Sequence, residues 1–156
     1  MRRAERQVTD FQEILAIING CKVLRLGMVD DKVPYVVPMN FGYESDDNQS
    51  LLIYLHSAQK GRKLEMLESS RQVCVEMDRM IELTMGESGC DYSCLYESLI
   101  GWGQVEILEE PVEKSHGLQM IMKHQTGRDD FSFAEKVVAV TCVMQIRLDV
   151  FTVKRH

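Results

Sequence analysis

Between Val33 and Tyr43 every second residue is apolar or aromatic: Val33, Tyr35, Val37, Met39, Phe41 and Tyr43. A period of two sustained over this length is that of an antiparallel strand with one buried face, and a helix cannot satisfy it. Pro34, Pro38, Asn40 and Gly42 fall on the opposite face. Each proline removes a ladder donor, which restricts the stretch to a sheet edge or a bulge. Two readings follow. Either the sheet opens at Pro38–Gly42 and something other than a strand lies alongside, or the prolines merely blunt an edge against aggregation.

Similar runs occur on both sides. Lys22 to Val29 reads as a strand ending in the turn Asp30-Asp31-Lys32, and Leu51 to Leu55 follows the polar hairpin loop Ser45 to Ser50. Arg71 to Asp78 alternates through Val73, Val75 and Met77, and Val137 to Lys154 through Cys142, Met144, Ile146, Leu148 and Val150. In the strand Tyr96 to Leu108, Gly101 and Gly103 flank Trp102, which marks a bend or a close approach. Residues 79–95 keep no period and read as a long loop. Helical spacing appears at Phe11, Ile14, Leu15 and Ile18, with a capping box at Thr9-Asp10-Phe11-Gln12 and a left-handed end at Asn19-Gly20. It recurs over Arg62–Ser69, and from Pro111 onward with Val112, Leu118, Ile121 and Met122. Six strands joined mostly by turns predict a mainly β fold, an antiparallel barrel with peripheral helices, in one domain over residues 1–156.

A formal charge of -6 argues against a nucleic-acid binder, which needs a basic face. No apolar run approaches the roughly 20 residues of a membrane span, and the basic start Met1 to Arg6 leads into an amphipathic helix instead of a signal core. Five cysteines, an odd number, fit a reducing compartment better than a disulfide framework, and a cytoplasmic location is expected. Cys90 and Cys94 form the one close pair, a weak metal signal, while Cys74 and Cys142 sit in apolar runs and read as core. Met66, Met77, Met120, Met122 and Met144 read as core filling, and His116, His124 and His156 as surface.

The segment from Ile53 to Lys63, Ile-Tyr-Leu-His-Ser-Ala-Gln-Lys-Gly-Arg-Lys, couples a short strand to small residues and then to two cations opening a helix. Free N–H groups at a helix start, the Ser57 hydroxyl and the charges of Arg62 and Lys63 together describe a seat for a phosphate. A solvated turn with two surface cations is the plain alternative. His56 is either the titratable group of a site or a hydrogen-bonded structural histidine.

Three stretches, Pro34 to Tyr43, Tyr54 to Lys63 and Glu97 to Gly103, together resemble the pyridoxamine 5'-phosphate oxidase-like FMN-binding split barrels, in particular the nitroimidazole-resistance branch. The likeness keeps the same element order from about Arg2 to Val153. It implies a six-stranded antiparallel split β-barrel of the FMN-binding type and a homodimer with FMN at the subunit interface. By position, Val37, Pro38, Met39 and Asn40 would lie against the isoalloxazine ring. His56 and Ser57 would flank ring and phosphate, Arg62 and Lys63 would hold the phosphate, and Ser98 with Trp102 would approach from the partner subunit. The resemblance implies an oxidoreductase reducing a small electron-poor molecule such as a nitroimidazole; near neutral pH His56 would either donate a proton to a reduced substrate or stabilise a reduced, anionic flavin. The alternative is a non-enzymatic flavin or haem container. The chain ends at His156 without the Trp- and Arg-bearing segment with which the oxidase holds pyridoxal phosphate, so pyridoxamine phosphate oxidation is not expected.

Overall fold

The alternating runs become the wall of an antiparallel barrel, as their period demands. The computed structural model describes residues 3–30, 32–46 and 49–156. A 3₁₀ turn (Ala4–Arg6) leads to β1 (Gln7–Val8), α1 (Phe11–Gly20), β2 (Val23–Asp30), β3 (Val33–Ser45), β4 (Leu51–Ala58) and α2 (Arg62–Ser69). Then come β5 (Gln72–Thr84), β6 (Ser93–Leu108), α3 (Pro111–Thr126), α4 (Glu135–Val140) and β7 (Thr141–Arg155). The hydrogen-bonded order β4-β3-β2-β5-β6-β7 closes on itself, because β7 pairs both with β6 and with β4. This ring is the expected barrel, and β1 adds a short strand beside Val153 and Lys154 of β7.

Inward positions of every wall strand converge on one core that includes Leu26, Phe41, Ile53, Val75, Leu99 and Ile146. Burying each side chain of this size contributes about 1.5–3 kcal/mol. Ile17 and Ile18 of α1 and Met66 and Leu67 of α2 join the same core. Helix α3 lies outside the barrel, where Leu118 and Ile121 pack with Tyr54 and Val143 in a second cluster. The ladder between β6 and β7 shifts register between Trp102 and Gly103, the irregularity that the paired glycines predict.

Several expectations change. The N-cap of α1 is Asp10, whose carboxylate accepts from the Glu13 amide at 2.9 Å, so Thr9 is not the capping residue. Gly20 lies inside the helix and the cap Cys21 is extended, so there is no left-handed end; a Cβ on Gly20 would collide with the Arg79 guanidinium. The expected loop at 79–95 is mostly strand: β5 runs on to Thr84 and pairs with β6 through Leu83↔Cys94 and Thr84↔Ser93. This arm projects past the barrel and leaves Met80, Ile81 and Leu83 exposed, so no buried face imposes alternation on it. Residues 137–140 complete α4 and β7 starts at Thr141, so tertiary context overrides the β-branched run. Val112 is exposed, Met120 and Met122 are half-buried, and Cys74 is half-buried on the outer wall. His124, expected at the surface, is buried. Asp31, Asp47 and Asn48 of the two expected turns lie outside the described residues. Among the described residues no helix is long and apolar enough to cross a membrane.

Candidate functional site

The wall parts at one place. β3 pairs with β2 along Val33–Asn40, but with β4 only from Phe41, opposite Leu55. One step further, Asn40 stays on β2 opposite Val23, while His56 pairs across β4 with Val143 of β7. The second backbone edge of Val33–Asn40 therefore has no strand partner among the described residues. Pro34 and Pro38 lie in this stretch, where a continuous ladder on both sides would lack two donors. The sheet opens here, as one reading of the prolines expects, and the stretch is also a free edge, as the other expects, so the pairing alone fits both. Met39 points into the core and Val37 packs against it, while Pro38 and Asn40 are exposed. The Asn40 amide donates to the Lys22 carbonyl and to Gln125 Oε1, both at 3.3 Å, so its side chain is engaged by the last turn of α3. What Val37–Asn40 offers a ligand is mainly backbone.

Helix α2 opens at the end of β4. Gly61 precedes it with φ of 139°, a conformation that side-chain-bearing residues rarely adopt, and no side chain caps the helix. The Leu64 amide bonds to the Gly61 carbonyl at 2.9 Å, while the Arg62 and Lys63 amides have no partner among the described residues, as an anion requires. The two cations straddle the mouth. The Arg62 guanidinium lies over the Tyr35 ring, 4.8 Å from its centroid, which ties the mouth to the parted part of β3. Such a contact contributes about 0.5–1 kcal/mol at an exposed site. Lys63 stands toward β4, near enough to act on both His56 and the Cys142 thiol. Although His56 is exposed, its pKa is held below the ordinary histidine value, first by partial desolvation and then by the Lys63 charge. It is therefore neutral at pH 7. The Ser57 hydroxyl donates to the Ala58 carbonyl at 2.8 Å, at the end of β4.

The chain brings Val37–Asn40, His56, Ser57, Arg62 and Lys63 to one end of the barrel. It places Ser98 and Trp102 elsewhere. Both are on β6, which the ring separates from β4 by β7 and from β3 by β5 and β2. Ser98 pairs with Asp78 and Lys154, and Trp102 pairs with Cys74 and Val150 and is 46% exposed. Among the described residues no group of His, Cys, Asp and Glu is placed to hold a metal, and Cys90 and Cys94 are free thiols.

Sequence reasoning missed several groups. Tyr35, which the sequence marks as part of the alternating face and of the Pro34–Tyr43 stretch, also lies beneath the Arg62 guanidinium. Glu97 is 5% exposed and accepts from Arg79 Nε at 2.7 Å and Arg155 Nε at 2.8 Å. Its burial would raise the pKa, but the bonds and charges of the two arginines outweigh this and leave it below the usual carboxylate range. Gln59 Nε2 donates to the Ala139 carbonyl at 2.7 Å, tying the seat loop to α4. Lys114 is buried; the signal available for it was its position four before Leu118 and seven before Ile121, on the inward face of α3.

The family of pyridoxamine 5'-phosphate oxidases matches residues 10–155 of the chain. No curated protein matches it. Among solved structures it is similar to a protein of Bacteroides thetaiotaomicron provisionally assigned to 5-nitroimidazole antibiotic resistance. The two share 37% identity with a TM-score of 0.81, over 96% of this chain and 86% of that one. The flavocytochrome Anf3 of Azotobacter vinelandii superposes with a TM-score of 0.81 at 19% identity, covering 100% of this chain and 72% of that one. An FAD and haem binding protein of Mycobacterium smegmatis gives 0.81 at 17% identity, covering 96% and 73%. The last two likenesses show the fold.

Proposed function

Since this chain belongs to the pyridoxamine 5'-phosphate oxidase family, we propose that it is a flavin-binding oxidoreductase that holds FMN at the parted edge of β3 and reduces a small electron-poor organic molecule. The observation that carries this reading is the uncapped, doubly cationic mouth of α2 lying at the point where β3 and β4 separate. The residues present fit the cofactor. Arg62 and Lys63 would hold the phosphate, aided by their own backbone amides, the first two of α2. The unpaired backbone edge of Val37–Asn40 matches the polar edge of an isoalloxazine ring, and Ser57 and His56 would flank it. When bound, the flavin supplies hydride and electron transfer. His56 is neutral at pH 7 and stands at the rim, so a ring nitrogen there can take up a proton and pass it to a reduced substrate. The similarity to a protein assigned to nitroimidazole resistance supports a nitro-heterocycle as substrate.

We further infer a homodimer in which Ser98 and Trp102 reach the partner's cleft. Support comes from the outer wall, where cross-strand partners Val36, Gly27, Cys74, Trp102 and Val150 form one row across five strands. Val36, Trp102 and Val150 are exposed, and an uninterrupted apolar row of this kind suits burial between copies.

The test is flavin titration followed by turnover. The wild-type protein is expected to take up FMN, turn yellow, and reduce a nitroimidazole with NAD(P)H or a chemical reductant. Arg62→Ala with Lys63→Ala should weaken FMN about a hundredfold, the loss expected for two charge-assisted contacts, and leave riboflavin nearly unaffected. Protein that takes up no flavin overturns the proposal, and bound flavin that never turns over reduces it to a container.

A further inference from the structure

Lys114 is 8% exposed, yet its ammonium makes only one hydrogen bond among the described residues, to the Ala139 carbonyl at 3.5 Å. No carboxylate lies within ion-pairing distance of it among the described residues. Three donors on a side chain that is largely covered are thus served by one long bond, and buried charges are ordinarily paired. The Ala139 carbonyl does not depend on the lysine, because Gln59 already donates to it at 2.7 Å. Lys114 can therefore swing to another acceptor without leaving that carbonyl unsatisfied.

The space it faces is a groove of about 520 Å³ between the start of α3 and α4, a size usual for small-molecule sites. Ser115 lies beside Lys114, Phe133 and Val138 supply an apolar wall, and Glu109 and Glu135 stand exposed at the rim. The side chains of Ser115, Glu109 and Glu135 have no hydrogen bond or ion pair among the described residues. A simple anion would meet two carboxylates there, and a simple cation would meet the lysine. Only a ligand carrying both charges is matched.

We propose that this groove binds a small amino-acid-like zwitterion with an apolar side chain, its carboxylate on Lys114 and Ser115, its ammonium on Glu109 and Glu135, and its side chain against Phe133 and Val138. The groove adjoins the seat loop, whose Gln59 shares the Ala139 carbonyl with Lys114, but none of its lining residues is among those assigned to the flavin.

The experiment is calorimetric titration of the FMN-treated full chain with L-phenylalanine, its amide and its N-acetyl derivative. L-Phenylalanine is expected to bind with a Kd on the order of 1 mM or better, and each blocked derivative about tenfold more weakly or worse. Lys114→Met should weaken L-phenylalanine by a similar factor and abolish the distinction between acid and amide, which general damage would not do. Should that variant fail to fold, Glu109→Gln with Glu135→Gln, both at the rim, should erase the preference over the N-acetyl derivative. No binding by wild type, equal binding of acid and amide, or displacement of the amino acid by FMN would each overturn the proposal. Failure of flavin binding alone would leave it standing.

Discussion

At the scale of single residues, the two histidines whose pKa is depressed have the clearest consequence. His56 is lowered by desolvation and then by Lys63; His124 is lowered by desolvation first, against the raising effect of its bond to the Cys21 carbonyl. Both bind protons more weakly folded than unfolded. Stability present above about pH 6.5 is therefore lost as pH falls through that value toward their folded-state values. Glu97, held below the usual carboxylate range, stays ionised over the same interval and does not add to the slope. Melting temperature should thus drop between pH 7 and pH 5. His124→Gln keeps a donor for Cys21 but cannot titrate, so it should flatten that drop. Thermal denaturation by circular dichroism at several pH values checks this, and an unchanged slope would rule it out. His124 shows how much context matters. Its place three after Ile121 puts it on the inward face of α3, and it lies 4.5 Å from the Phe41 ring and 5.2 Å from that of Tyr43, centroid to centroid.

Among the elements, the ion cluster around Glu97 of β6 decides how four of them meet. Arg79 from β5 and Arg155 from β7 both donate to it, and Arg155 also reaches Glu13 of α1 at 3.0 Å. Gly20 lets the Arg79 guanidinium pass close to α1. Glu97→Gln removes one charge and leaves two half-exposed arginines facing an amide, so a loss of roughly 2 kcal/mol is expected. A lower urea midpoint with an unchanged slope would demonstrate it. The elements were also where sequence reading was most uneven. The wall strands and α2 could be read because one buried face forces a period. The arm beyond Asp78 could not, because two exposed faces force none, and α4 could not, because its β-branched residues favour the strand that follows it.

For the whole molecule, the question is how the site is completed. The ring order puts β6 on the far wall from the junction of β3 and β4, so Ser98 and Trp102 can serve a flavin cleft only in another copy of the chain. If the proposed homodimer and FMN cleft hold, Trp102→Glu should place a charge in the middle of the apolar row, shift the mass in solution from dimer to monomer, and weaken FMN although Arg62 and Lys63 are untouched. Light scattering and flavin titration on the same sample check both. A dimer that survives this substitution would move the interface elsewhere.

By itself the sequence determined what local rules enforce: strands where apolar residues recur in twos, a helix mouth where Gly61 precedes Arg62 and Lys63, and a strand unable to pair on both sides where Pro34 and Pro38 remove donors. Only the tertiary structure decided where β3 leaves β4, that Tyr35 would underlie Arg62, and that Asn40 would be taken up by α3. It also decided that Lys114 would be buried with an open groove before it. These depend on contacts between residues 14 to 85 positions apart, which no spacing rule within one element can encode.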